Sequence, residues 1–178
     1  MANTSSSAQQ VDVPAPGSYP LVAARSKAAF RTRHLFGLAG VAGTVQVESG
    51  TVTLDPQASA ASGVVTLSAA SFDSGHAKRD GDVKGTKFLD VVRHPHFVYR
   101  PTGLSHANNS WTVTGDLTVR GVSAPVPLTV ESLQTTSTGF RARATARVDR
   151  YAFGITAAKG MAARYLDLEL TVEADAGR

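Results

Sequence analysis

His94-Pro95-His96 sets two imidazoles two positions apart. On a strand that spacing puts both rings on one side, where they can share a metal ion. A metal needs a further ligand, yet His34, His76 and His106 are scattered, with no His-Glu-X-X-His run and no clustered carboxylates. The pair therefore reads as a turn feature, ahead of metal binding or a pH-sensitive, ligand-contacting role. Lys78-Arg79-Asp80, followed by Asp82 and Lys84, brings together opposite charges that shift each other's protonation, the raw material of acid/base chemistry. The same run reads more readily as salt bridges fastening a helix, and next as a polar contact for a ligand head group. There is no Gly-X-Ser-X-Gly elbow, no phosphate-binding Gly-X-X-X-X-Gly-Lys-Ser/Thr loop and no Gly-X-Gly-X-X-Gly turn. With 0 cysteines, thiolate catalysis, disulfides and sulfur-ligated metals are excluded. These features indicate binding rather than catalysis, with no catalytic residue, no metal and no cofactor.

The elements that must position any site are strands. Phe140, Ala142, Ala144, Ala146 and Val148 alternate with Arg141, Arg143, Thr145 and Arg147, and Leu166, Leu168, Leu170 and Val172 alternate with Asp167, Glu169 and Thr171. Period two means one wet face and one hidden face. Methyl groups on the hidden face are too small to fill a closed sheet, so the wall of Ala142, Ala144 and Ala146 predicts a lumen. Ala28, Phe30, Thr32 and His34 share a face, as do Phe97 and Tyr99, and Trp111, Val113, Leu117 and Val119. Asn108-Asn109 predicts a tight hairpin turn, since both residues tolerate positive φ. Valines 45 and 47 are out of phase with Val52 and Leu54, which predicts a β-bulge at Ser49-Gly50. Residues 35–41, with Gly37 and Gly40 among them, are without a polar side chain, consistent with a short helical lid or plug. Asp73 or Ser74 is placed to cap a helix over about 76–84, with a second turn near 86–89 bringing Phe88 to the core. Eight or so alternating strands predict an all-β, eight-stranded antiparallel up-and-down barrel with short helices capping residues 71–90; a β-sandwich is the alternative. The phenylalanines, Phe36 and Phe153 among them, ring a pocket or simply fill a core, and the small residues between them favour sealing a tube.

At 178 residues the chain is one domain's worth, read as a flexible polar tail over 1–18 and a barrel over 19–175. The net charge of +4 is not clustered as a nucleic-acid surface requires. Arg141, Arg143, Arg147 and Arg150 are expected on a solvated outer wall, with docking on an anionic lipid surface or an acidic partner as the second reading. Residues 1–18 lack a basic start and an apolar stretch, so the expected location is the cytoplasm.

Taken in order, several motifs resemble the YceI-like family, described as lipocalin-like polyisoprenoid-binding proteins. The resemblance runs from about Tyr19 to Ala174. Its marks are Ser26 to Phe30 ending in His34, Gly43-Thr44-Val45, Ser71-Phe72-Asp73-Ser74-Gly75, Arg79-Asp80, Lys87-Phe88-Leu89-Asp90 and His94-Pro95-His96-Phe97. Thr114 to Val122, Pro125-Val126 and Val148 to Gly154 follow. The resemblance implies a capped, elongated barrel holding a polyprenyl or quinone-like chain, with Phe30, His34, Phe72, Arg79, Asp80, Phe88, Phe97, Leu117 and Phe153 along or at the mouth of the pocket. This sequence has Val45 where the family often has an aromatic residue, and Phe88-Leu89 where it often has Phe-Phe. Binding, sequestration or transport of an isoprenoid-type lipid is thus the leading expectation. The alternatives are an enzyme using His34, Arg79 and Asp80 on such a lipid, and a barrel with a filled core that acts through protein partners, as a homodimer for example.

Overall fold

The computed structural model describes residues 13–34, 38–55 and 60–177, apart from the His34 side chain. Its strands are β1 (Gly17–Pro20), β2 (Lys27–His34), β3 (Ala39–Leu54), β4 (Ala61–Ser68), β5 (His96–Ala107), β6 (Ser110–Val119), β7 (Val122–Pro125), β8 (Leu128–Thr135), β9 (Gly139–Asp149) and β10 (Tyr165–Asp175). The one α-helix among the described residues, α1, is Ala77–Lys84. Pairing runs β2-β3-β4-β5-β6-β8-β9-β10 and back to β2, antiparallel throughout, a closed eight-stranded barrel of consecutive neighbours. The predicted Asn108-Asn109 turn joins β5 to β6 with φ of 50° and 60°.

Two short strands extend this ring. β1 lies against residues 51–54 of β3, in line with β2 beyond a 3-10 turn at Ala23–Arg25. β7 and β8 continue one another along β6, bridged by the Val126 N–H donating to the Gly115 carbonyl at 2.9 Å. Alternate amides of a strand point to opposite edges. With Val126 facing β6, residues 125 and 127 face β9, and both are proline, which has no N–H. β9 accordingly bonds β8 only along residues 129–135, and a seam separates β7 from β9.

Register shifts place single extra residues at Glu48, Thr102 and Glu131. The first of these bulges lies just ahead of the predicted Ser49-Gly50. Gly50 stays in the ladder opposite Val65, where a Cβ would come within 2.9 Å of the Val64 carbonyl oxygen and of Leu21. The expected lid over 35–41 is not a helix where it is described: Ala39, Gly40 and Val41 open β3, paired with His34, Arg33 and Thr32. Leu35, Phe36 and Gly37 lie outside the described residues. The expected tail over 1–18 also ends early, since Gly17 already pairs with Leu54 and Pro14 is buried.

The two ends of the barrel differ. At one end lie residues 69–95 with α1, the 150–164 connection and the β2–β3 and β6–β7 hairpins; at the other lie the Asn108-Asn109 turn, the β8–β9 turn and the outer ends of β1 and β10. The first is the capped end and the second the plain end. Residues 69–75 cross the start of β3, with Thr44 bridging Asp73. Gly43 permits the crossing, because a Cβ there would collide with the Asp73 carbonyl and lie 2.5 Å from the Phe30 ring.

Candidate functional site

The inward faces of the strands build two unlike interiors. Toward the capped end Phe30 stacks on Phe72 with ring centroids 4.8 Å apart, packed with Val41. Beside them Phe153, Val119, Val126, Val148 and Ile155 form a second cluster, against which Phe88, Phe97, Leu117 and Ala146 pack. Tyr99 belongs to this cluster and also faces the other half. Its hydroxyl donates to the Val126 carbonyl at 3.0 Å, tying β5 to the β7–β8 strand, and burial pushes the phenol's pKa up. Gly115 makes room for the ring, since a Cβ would lie 2.6 Å from the Tyr99 hydroxyl.

Beyond Tyr99, toward the plain end, is a cavity of about 140 Å³ whose wall presents only apolar atoms. Ala142 and Ala144 of β9 line it with Val113, Leu128, Val130, Leu170 and Val172, and Trp111 and Leu104 flank them. Its outer rim is Leu54, Ala61 and Phe140, with Tyr19 edge-on to Phe140 at 5.2 Å. Val13 and Pro14 also contribute to the lining. Ala142, Ala144, Leu170 and Val172 are only half-buried although they point inward. Small side chains leave a space that neighbours do not fill. A larger depression of about 970 Å³ lies on the outside, between residues 42–44, 29–31, 167–169, 145–147 and 127–129. It carries the Arg147–Asp167 pair, 3.8 Å apart, whereas the wall of the lumen is wholly apolar, so the lumen is the better candidate site.

The lining adopts three of the residues singled out from sequence, Val113, Ala142 and Ala144. Phe30, Phe72, Phe88, Phe97, Leu117, Ala146 and Phe153 lie instead in the packed half. Tyr99, Trp111, Leu128, Val130, Leu133, Leu170 and Val172 line the lumen without having been singled out as site residues, and their strand parity was the available signal. Val52 and Leu54 line it on the phase set beyond the bulge, and Leu21, which follows β1, adds to the same wall.

Arg79 and Asp80 lie on α1 at the capped end and serve its connection. Asp80 is buried and accepts from the Ser74 hydroxyl and from the Ser74 N–H at 3.1 Å, while Arg79 Nε donates to Ser74 Oγ at 2.7 Å. The Ser74 hydrogen bonds hold the Asp80 carboxyl below its ordinary pKa, with Lys84 and Arg79 adding to the shift. The α1 N-cap is His76, whose Nδ1 accepts from the Arg79 N–H at 3.3 Å, and not Asp73 or Ser74 as expected. Gly75, with φ of 73°, turns the chain and delays the helix start. His94 packs against Gly121, while His96 Nε2 sits 3.1 Å from Glu48 Oε2. Among the described residues no three His, Asp or Glu side chains gather as a metal site.

The outer wall is a ladder of ion pairs between β9 and β10, with Arg143 2.6 Å from Glu169 and Arg141 3.6 Å from Glu173. Arg150 does not belong to it. That guanidinium is 6% exposed and donates to the carbonyls of Ile155, Ala157, Ala162 and Ala163 at 2.7–3.0 Å, organising the 150–164 connection. β9 ends at Asp149, and the 3-10 turn Arg150–Phe153 carries the side chain inside.

Residues 19–176 match the model of the YceI-like domain. The chain belongs to the YceI-like family. A UPF0312 protein of Pectobacterium carotovorum is 30% identical over 152 residues, 81% of this chain and 78% of that one. Protein YceI of Escherichia coli is 36% identical over 100 residues, 56% of this chain and 52% of its own. Among solved structures, Burkholderia cenocepacia BcnA superimposes with a TM-score of 0.74 at 21% identity, covering 85% of this chain and 98% of that one. A polyisoprenoid binding domain from Saccharophagus degradans superimposes at 0.65 and 12% identity, over 89% and 98%. These two likenesses concern the fold. Both partners are matched almost end to end, so this YceI-like chain shares their barrel and not merely a sheet within it.

Proposed function

We propose that this protein binds the hydrocarbon portion of an isoprenoid-type or similar uncharged lipid in the lumen between Tyr99 and the plain end. The observation that carries the reading is a cavity of about 140 Å³ with an all-apolar wall, kept vacant by Ala142 and Ala144. Such a space favours a greasy guest, because water inside it finds no polar partner. Membership of the YceI-like family and the fold shared with a polyisoprenoid binding domain support the same class of guest. Arg79 and Asp80 are spent on Ser74 and lie beyond the aromatic packing from the lumen, which favours binding over the enzymatic alternative.

Magnitudes limit what the space holds as it stands. A cavity near 150 Å³ takes a guest about the size of benzene, and six carbons at about 0.8 kcal/mol each give roughly 5 kcal/mol gross. Association itself costs about 4 kcal/mol or more, so tight binding requires a guest that continues beyond this cavity. Mass spectrometry of an organic extract of the gently purified protein tests the reading. A stoichiometric apolar lipid is the expected result. An empty extract, together with Trp111 fluorescence that does not respond to any isoprenoid alcohol, overturns it.

A further inference from the structure

The cavity has one soft boundary. Toward the capped end it is floored by Tyr99, whose hydroxyl is bonded to the Val126 carbonyl, with Phe88, Phe97 and Phe153 packed behind. A guest extending that way must break a buried hydrogen bond and repack several rings. Toward the plain end the boundary is Val13 and Pro14. Pro14 is buried, yet it precedes β1 and lies ahead of residues 19–176, the part that matches the family. Among the described residues, strand pairing begins only at Gly17. What fixes the segment is the Tyr19 hydroxyl, which donates to the Ala15 carbonyl at 2.6 Å, together with the apolar contacts of the two side chains.

We propose that the seat held by Val13 and Pro14 is the outward extension of the lipid channel, and that these two residues leave it when a guest longer than one ring-sized unit enters. This rests on the lipid-binding reading. The seat is apolar and continuous with the lumen, and vacating it breaks no ladder hydrogen bond. It is therefore the direction in which the channel lengthens at least cost, and it sets the mouth at the end opposite α1. A segment that must be displaced lowers the apparent affinity for long guests and leaves that for short ones unchanged.

The chain supplies its own reporter, since its 1 tryptophan, Trp111, lines the cavity. Farnesol serves as the long probe and toluene as the ring-sized one, titrated against the full-length chain and the V13S/P14S variant. In the variant, the ratio of farnesol affinity to toluene affinity is expected to rise about tenfold over the parent chain, because the displacement penalty applies only to the long guest while a changed wall is felt by both. An unchanged or lowered ratio overturns the proposal and makes the segment a fixed wall. Silence of Trp111 toward both probes in both proteins is a different failure: it removes the lipid-binding reading and this proposal with it. A second measurement does not depend on weakening the segment. The chain has 0 cysteines, so Val13→Cys introduces a unique thiol. Its rate of alkylation is expected to rise about fivefold with farnesol bound and to stay level with toluene, reporting the shift in the segment's population. A farnesol-bound thiol that reacts no faster than the free one sinks the displacement.

Discussion

On the capped side of Tyr99 the interior is packed by Phe30, Phe72, Phe88, Phe97 and Phe153; on the plain side Ala142, Ala144, Val113 and Val172 leave about 140 Å³ vacant. Both halves are drawn from the same strands, β9 contributing Ala142 and Ala144 to one and Ala146 and Val148 to the other. Alternation decides which side chains face inward, and side-chain volume decides whether facing inward amounts to filling. One barrel thus combines a cohesive half that resists change with a roomy half that tolerates it.

The contrast can be broken most forcefully at Phe153, 3% exposed in the packed half. Phe153→Ala is expected to lower the free energy of urea unfolding by about 3–5 kcal/mol, and Val172→Ala in the hollow wall by roughly half that or less. Equal losses would mean that the two halves are equally dense. A matched pair on one strand sharpens the comparison. Ala146→Leu overpacks and is expected to cost about 1–3 kcal/mol, whereas Ala144→Leu grows into vacant space, leaves stability level or higher and abolishes farnesol uptake. Matching stability changes at 144 and 146 would refute the partition.

Tyr99→Phe probes the boundary itself. It removes the hydrogen bond to Val126 and is expected to cost about 1 kcal/mol while lipid uptake persists, because the ring still floors the cavity. The smallest effect belongs to Asp80→Asn. The folded-state pKa of Asp80 is held below its ordinary value, so the carboxylate stabilises the fold at neutral pH and that contribution drains away as pH falls through the folded pKa, under about 3.9. The stability gap between parent and variant is expected to close in that acidic range and to stay constant from pH 6 to 8. A gap that instead closed on the alkaline side would reverse the assignment.

Much of this was legible in the chain and some was not, for reasons tied to particular residues. The barrel and the alanine-lined wall follow from period two, and the Asn108-Asn109 hairpin from two residues that tolerate positive φ; all three are local properties. Where the vacancy lies is not local: Ala146 repeats the pattern of Ala144, but it packs against the cluster that Phe153, Val119 and Val126 supply from other parts of the chain. Aromatic residues brought forward by family likeness, such as Phe72 and Phe88, mark the packed half, since big rings are what packing requires. Arg150 looked like a fourth outward arginine, but β9 ends at Asp149 and the 3-10 turn that follows takes its side chain inside, which no strand periodicity announces. The part played by Pro14 has no periodic signature at all, because a single contact ahead of the first strand repeats nothing.

Pro125 and Pro127 leave the edges of β7 and β9 facing each other without a ladder. A fully stitched hoop is held by its backbone ladder all the way round. Along this stretch the hoop is instead clasped by side chains, since Val126 beside the gap shares one buried cluster with Val148 and Phe153. The wall's integrity there is a matter of oil rather than of thread.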